Sequence, residues 1–232
     1  MPRHLPRGDE SLSGSGVEKQ PVWDLPTRLF HWLLAALVAF SWWSAKYGEM
    51  DWHIWSGLAI LTLLIFRLLW GFVGSSTARF SSFVRGPASV LQHLRGKWNG
   101  IGHTPLGALS VVAMLLAISV QVGLGLISED EDGLYTGPLF GLVGIETSDK
   151  ARDIHELWFN VVLGLIILHV IAILYYRLRG QKLTKPMITG RAELARGTPA
   201  MRPGKWWIAL VCLAVGVGVT RWVIAGAPPF GT

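Results

Sequence analysis

The sequence predicts an all-α integral membrane protein: a four-helix transmembrane bundle followed by a fifth, C-terminal transmembrane helix. Three observations carry this expectation. Of the 232 residues, 51% are hydrophobic and only 16% are charged, with 12 Trp, so one water-soluble core with an ordinary surface is excluded. Five apolar windows, 28 to 45, 53 to 73, 105 to 127, 155 to 176 and 206 to 226, are long enough to cross a bilayer. The loops between them change the sign of their charge from one to the next.

The first window is short, and Pro26, a residue suited to a helix's first turn, moves its start nearer that position. Met1 to Gln20 are polar, contain Gly, Ser and Pro, and lack the apolar stretch of a secretory signal. They read as a disordered cytoplasmic tail. The expected organisation is then this tail at 1–20, a four-helix domain at 21–180, a basic cytoplasmic loop at 181–205, and the fifth helix with a short periplasmic tail at 206–232. The single Cys212 lies inside the fifth window with no disulfide partner and reads as a small apolar filler.

Lys and Arg resist translocation, so the loop charges give an orientation. Gly74 to His103 carries Arg79, Arg85, Arg95 and Lys97 and no acid, and Arg177 to Lys205 carries eight basic residues against Glu193 alone. Both are expected in the cytoplasm. Ser128 to Asp153 holds Glu129, Asp130, Glu131, Asp132, Glu146, Asp149 and Asp153 against Lys150 and Arg152, and is expected outside. The N-terminus is then cytoplasmic and the C-terminus periplasmic. The net charge of +6 is a topology signal on this reading. Nucleic-acid binding is not expected, because no basic helical face stands on a soluble domain.

Seven histidines divide into two groups. His4, His93 and His103 lie in the tail or loops and read as solvated. His31, His53, His155 and His169 lie in or at the ends of apolar spans, where ionisable groups are rare and usually functional. One such His alone reads equally well as a helix-to-helix hydrogen bond. Four at two matched depths point further. His155 and His169 are 14 residues apart, nearly four helical turns, so they share a face about 21 Å apart along the axis. Tracing the chain through the membrane puts His53 level with His155 near the outer surface, and His31 level with His169 on the inner half. Two imidazoles from facing helices suit six-coordinate haem iron, whereas zinc takes four ligands at one site and copper usually recruits Cys or Met. Two stacked haems are therefore the expected cofactors, with all four histidines as metal ligands.

The stretches VWDLPTRLFHWLLAALVAF, DWHIWSGLAILTLLIFRLLWGFVGSSTARFSSFVRGP and HELWFNVVLGLIILHVIAILYY resemble the bacterial cytochrome b561 family, which includes the b-type cytochrome subunits of membrane-bound nickel-iron hydrogenases. The resemblance covers roughly residues 21–186. It implies a four-helix dihaem transmembrane bundle in the bacterial inner membrane carrying two haems b, with His31, His53, His155 and His169 at the axial positions. It also implies electron transfer between the quinone pool and a partner. Some relatives stop after four helices, so the fifth does not decide the subgroup.

Arg67 lies 14 residues beyond His53, on nearly the same face and near the inner haem; a buried Arg wants an anion, which a haem propionate supplies, unless the side chain snorkels to inner headgroups. Arg28, three residues before His31, reads as an interfacial anchor with propionate contact as the second option. Gly57, Gly123, Gly125 and Gly164 read as helix-packing positions more than as places where a macrocycle approaches. The Trp residues near span ends form an aromatic belt. Glu156 offers a carboxylate to the His155 imidazole, against which stands that adjacent helical residues face different ways.

The leading function is a dihaem electron conduit, the outer haem serving a periplasmic redox protein and the inner haem quinone. That partner is a hydrogenase, a molybdoenzyme or a cytochrome c. The run Glu129 to Asp132 reads as a solvated loop or as a docking patch for a basic partner. A self-contained superoxide:quinone oxidoreductase is the runner-up, disfavoured because an anionic substrate wants a basic outer surface. A membrane anchor without haem is the third. The chain carries no C-x-x-C-H attachment sequence and no catalytic domain, and oligomerisation stays open.

Overall fold

The computed structural model describes residues 16–83 and 105–229. It is dominated by five long helices. A strand β1 (Val17–Pro21) leads into α1 (Leu25–Lys46) and α2 (Met50–Val73), followed by the single turn α3 (Phe80–Phe83). Then come α4 (Pro105–Ile127), α5 (Ile145–Leu178), the short α6 (Thr184–Thr189), strand β2 (Arg191–Ala195) and α7 (Trp206–Ile224). The helices α1, α2, α4, α5 and α7 are all long and apolar enough to span a membrane. Their large apolar side chains, such as Leu157, Leu168, Leu174 and Leu210, stand exposed on the protein, as lipid-facing residues must.

Helix α1 begins one residue before Pro26 because Asp24 caps it, its Oδ1 accepting from the Thr27 N–H at 2.8 Å. The other carboxylate oxygen of Asp24 accepts from Trp70 Nε1 at 3.0 Å, which fastens the start of α1 to the end of α2. Trp70 is fully buried. A buried hydrogen bond to a charged group contributes about 1.5–3 kcal/mol.

Helix α2 is the centre of the packing. It runs along α1 on one side and α7 on the other, while α4 runs along α5 and touches α2. On α7, Gly216 permits the closest approach: a Cβ there would stand 2.8 Å from the Thr62 carbonyl oxygen of α2. The Thr62 and Thr220 hydroxyls meet at 2.8 Å across the same seam, and Cys212 is buried in it, as a filler should be. Helix α5 runs closely alongside neither α1 nor α2. Yet the four spanning histidines sit on those three helices, so the space between them is bridged by side chains.

Three segments differ from expectation. Residues 17–20, expected within a disordered tail, belong to β1, which pairs antiparallel with β2 from Val17↔Ala195 to Pro21↔Arg191. Val22 and Trp23 extend the clasp by donating to the Gly190 carbonyl at 2.8 and 3.1 Å. The expected basic loop 181–205 thus contains both α6 and β2. Helix α5 starts ten residues before the apolar window because its first turns are polar and self-supporting: Lys150 pairs with Glu146 at 2.6 Å and Arg152 with Asp149 at 3.2 Å. Its 34 residues make about 51 Å of helix, more than a bilayer core. The tail at 1–15, with His4, and the stretch 84–104, with Arg85, His93, Arg95, Lys97, Trp98 and His103, lie outside the described residues.

Candidate functional site

The His53 ring of α2 and the His155 ring of α5 come together across the space between their helices. Their ring centres are 6.0 Å apart and their planes cross at 88°. Each ring is held at Nδ1 by a carbonyl from the neighbouring helix of its own pair. His53 Nδ1 donates to the Ser41 carbonyl of α1 at 2.9 Å, with the Ser41 hydroxyl 3.1 Å from the same nitrogen. His155 Nδ1 donates to the Gln121 carbonyl of α4 at 2.9 Å. A carbonyl only accepts, so Nδ1 carries the proton and Nε2 keeps its lone pair for a metal. Both rings border a cavity of about 490 Å³ whose wall includes Gly57, Phe159 and Val162, and whose lip includes Glu129 and Glu131.

A second pair forms on the other half of α5. His31 of α1 and His169 have ring centres 6.4 Å apart and planes at 50°. His31 Nδ1 is buried and has no hydrogen-bond partner among the described residues. The edge of Trp32 lies against the ring, with centres 4.9 Å apart.

Both spacings fit one metal between two imidazoles. A nitrogen–metal bond is about 2.0–2.1 Å and the ring centre lies roughly 1.2 Å behind the nitrogen, so ligation in line separates the centres by about 6.4 Å. No group of three or more His, Cys, Asp or Glu side chains gathers among the described residues. The pairs therefore offer two nitrogens each, the donor set of a bis-imidazole haem, whose macrocycle fills the other four positions on iron. The apolar cavity wall is the surrounding that a macrocycle requires.

Arg67 is only 2% exposed, so it does not snorkel to the headgroups. Its guanidinium lies among Phe80, Phe30 and Phe83 at 4.9, 6.0 and 6.0 Å from their ring centres, and its Nη1 is buried without a partner among the described residues. A buried cation with an unused donor is an anion site in waiting. Arg28 turns toward the polypeptide: its Nη1 donates to the Ile188 carbonyl, while its Nε is buried and has no hydrogen-bond partner among the described residues.

The packing expectation fails for three glycines and is redirected for a fourth. A Cβ on Gly57, Gly123 or Gly164 would meet nothing within 4 Å, so no helix packs closely on them among the described residues. A Cβ on Gly125 would instead meet the His155 ring at 3.0 Å. Glu156 lines the outer cavity, but the His155 Nδ1 proton is already given to Gln121, so Glu156 does not orient that ring. Ser41 and Gln121 escaped the sequence reading because their backbone carbonyls act, and a carbonyl leaves no mark in composition. Arg152, one turn before His155, also lines the cavity while paired to Asp149 and Asp153 at 3.2 and 3.5 Å.

Residues 22–190 match the family model described as prokaryotic cytochrome b561. No curated protein matches the chain, and no solved structure does. The family consists of transmembrane b-type cytochromes of bacterial membranes that carry electrons and bind haem b. With most of its length inside that match, including all four histidines that meet in the membrane, the chain belongs to the prokaryotic cytochrome b561 family.

Proposed function

We propose that the chain is a dihaem electron carrier, linking the quinone pool to a redox protein on the periplasmic side of the bacterial inner membrane. The observation that supports it best is the pair of facing imidazole couples, 6.0 and 6.4 Å between centres, whose α5 members His155 and His169 stand 14 residues apart on one helix. His53 and His155 hold the outer haem b; His31 and His169 hold the inner one. When bound, each haem supplies a one-electron couple between ferric and ferrous iron. The protein supplies ligation, a dry surrounding and spacing along α5 of about 21 Å. Ser41 and Gln121 hold the outer rings with Nε2 available, Arg67 receives an inner propionate, and Arg28 is a second, weaker contact for that group.

Orientation rests on loop charge. The acidic segment 128–153 faces outward and the basic segment 177–205 faces the cytoplasm. The N-terminus is then inside and the C-terminus outside. The lip formed by Glu129, Asp130 and Glu131 lies at the mouth of the outer cavity, where a basic redox protein, such as a cytochrome c, docks.

The test is spectroscopic. Purified protein in lipid vesicles should show b-type absorption bands that develop on adding a quinol. Absence of b-type bands in protein expressed with sufficient haem would refute the haem reading. Bands that dithionite develops and quinol does not would refute the quinone link alone.

A further inference from the structure

Positions 117, 121 and 125 of α4 are four residues apart and share the face turned to α5. Trp158 Nε1 donates to the Ala117 carbonyl at 2.9 Å. One turn on, His155 Nδ1 donates to the Gln121 carbonyl at 2.9 Å, and the Gln121 side-chain amide answers by donating to the His155 carbonyl at 3.0 Å. At the third position, a Cβ on Gly125 would stand 3.0 Å from Cε1 and 3.3 Å from Nδ1 of the same imidazole.

A carbonyl inside a helix accepts from the N–H four residues later, and that residue's side chain leans back over it. The residue four after Gln121 is Gly125. Having no side chain, it uncovers the Gln121 carbonyl to a second donor, and the His155 ring occupies the edge of the space a Cβ would claim.

The geometry points to Gly125 and Gln121 as a socket for His155: Gly125 admits the ring, the Gln121 carbonyl fixes its tautomer, and the Gln121 amide clamps the backbone that carries it. They are positioning residues, acting through His155, and the inference rests on His155 being a haem ligand. A donated Nδ1 proton makes Nε2 a stronger ligand and favours the more positive, ferric state of the iron. The fixed rotation also holds the 88° crossing with His53. At the inner pair, His31 Nδ1 has no hydrogen-bond partner among the described residues, so loss of the socket should be felt at one haem only.

The experiment compares haem-loaded parent protein with Gly125→Ala, Gly123→Ala, Gln121→Leu and His155→Ala. Three readouts serve: haem content, the midpoint potential of each haem, and the low-spin ferric electron paramagnetic resonance signal, which depends on the angle between the two ligand planes. Gly125→Ala should raise one potential, shift one resonance signal, and weaken retention of that haem by roughly tenfold, the lower end for losing a partner of a metal ligand. Gly123→Ala, whose Cβ enters open space, should match the parent. Gln121→Leu keeps the carbonyl and removes the amide; it should move the same signal by less, and it decides the matter if alanine at 125 prevents folding. Parent-like signals in both Gly125→Ala and Gln121→Leu would overturn the socket. Equal shifts at both haems would overturn it as well. If His155→Ala still holds two haems, the ligand assignment fails; if it loses one while the socket variants are silent, only the socket fails.

Discussion

His53 and His155 approach to 6.0 Å between ring centres, although the helices that carry them do not run closely together. Each backbone stands back, and each imidazole is braced from behind by a carbonyl of the adjacent helix, Ser41 for one and Gln121 for the other. Two well-braced rings aimed into an apolar cavity are prepared for a flat ligand, because little ordering is left to be done on binding.

The pairing of the four histidines makes a prediction by elimination. His53→Ala and His155→Ala should each remove the same haem, and His31→Ala and His169→Ala the other, because one imidazole leaves iron five-coordinate and weakly held. Redox-resolved spectra of the four variants check this. Loss of the same haem in His53→Ala and His169→Ala would contradict the pairing.

Arg67 should separate cofactor binding from folding. Arg67→Leu removes a buried cation whose Nη1 has no hydrogen-bond partner among the described residues, at the loss of its contacts to three phenylalanine rings, so the resistance of the protein without haem to denaturant should change little. If Arg67 holds the inner propionate as proposed, the same change would remove a charge-assisted hydrogen bond worth about 1.5–3 kcal/mol, and retention of the inner haem should weaken roughly tenfold to a hundredfold. Haem titration of both proteins measures the second effect and denaturant titration the first.

The acidic lip should act through charge alone. Replacing Glu129, Asp130, Glu131 and Asp132 by their amides preserves the turn, since an amide oxygen at 130 still accepts from the Tyr135 N–H as Asp130 does at 2.9 Å. Association with a basic redox partner should slow several-fold at low salt. The difference should fade as the screening length falls below about 8 Å. Stopped-flow rates across a salt series provide the check, with haem content as the control.

Helix α7 should be separable from the cofactor sites. Gly216→Val forces side-chain carbon against the Thr62 carbonyl, and overpacking of this kind costs about 1–3 kcal/mol. Thermal stability should fall, while the haem spectrum stays that of the parent, because no histidine of either pair lies on α7.

Much of the fold was legible because lipid imposes a local rule: each span must be apolar over its own length, and each window shows it without reference to any other. The histidine pairing was legible for a related reason, since depth follows from counting residues along known spans. What stayed hidden depends on partners far along the chain. Val17 to Pro21 carries no strand signature of its own and becomes a strand only against Arg191 to Ala195. The polar first turns of α5 fail an apolarity test while their ion pairs support a helix. The glycines divided by surroundings that composition cannot report: open space at Gly57, an imidazole at Gly125.

Each imidazole pair is expected to hold one haem b, which makes two for the chain. Pyridine haemochrome analysis of the purified protein, set against protein concentration from quantitative amino-acid analysis, measures that number directly. Two noncovalent haems b per chain are expected, both extractable by acidified organic solvent. A ratio of one in protein expressed with sufficient haem, unchanged on titration with added haem, would contradict that expectation.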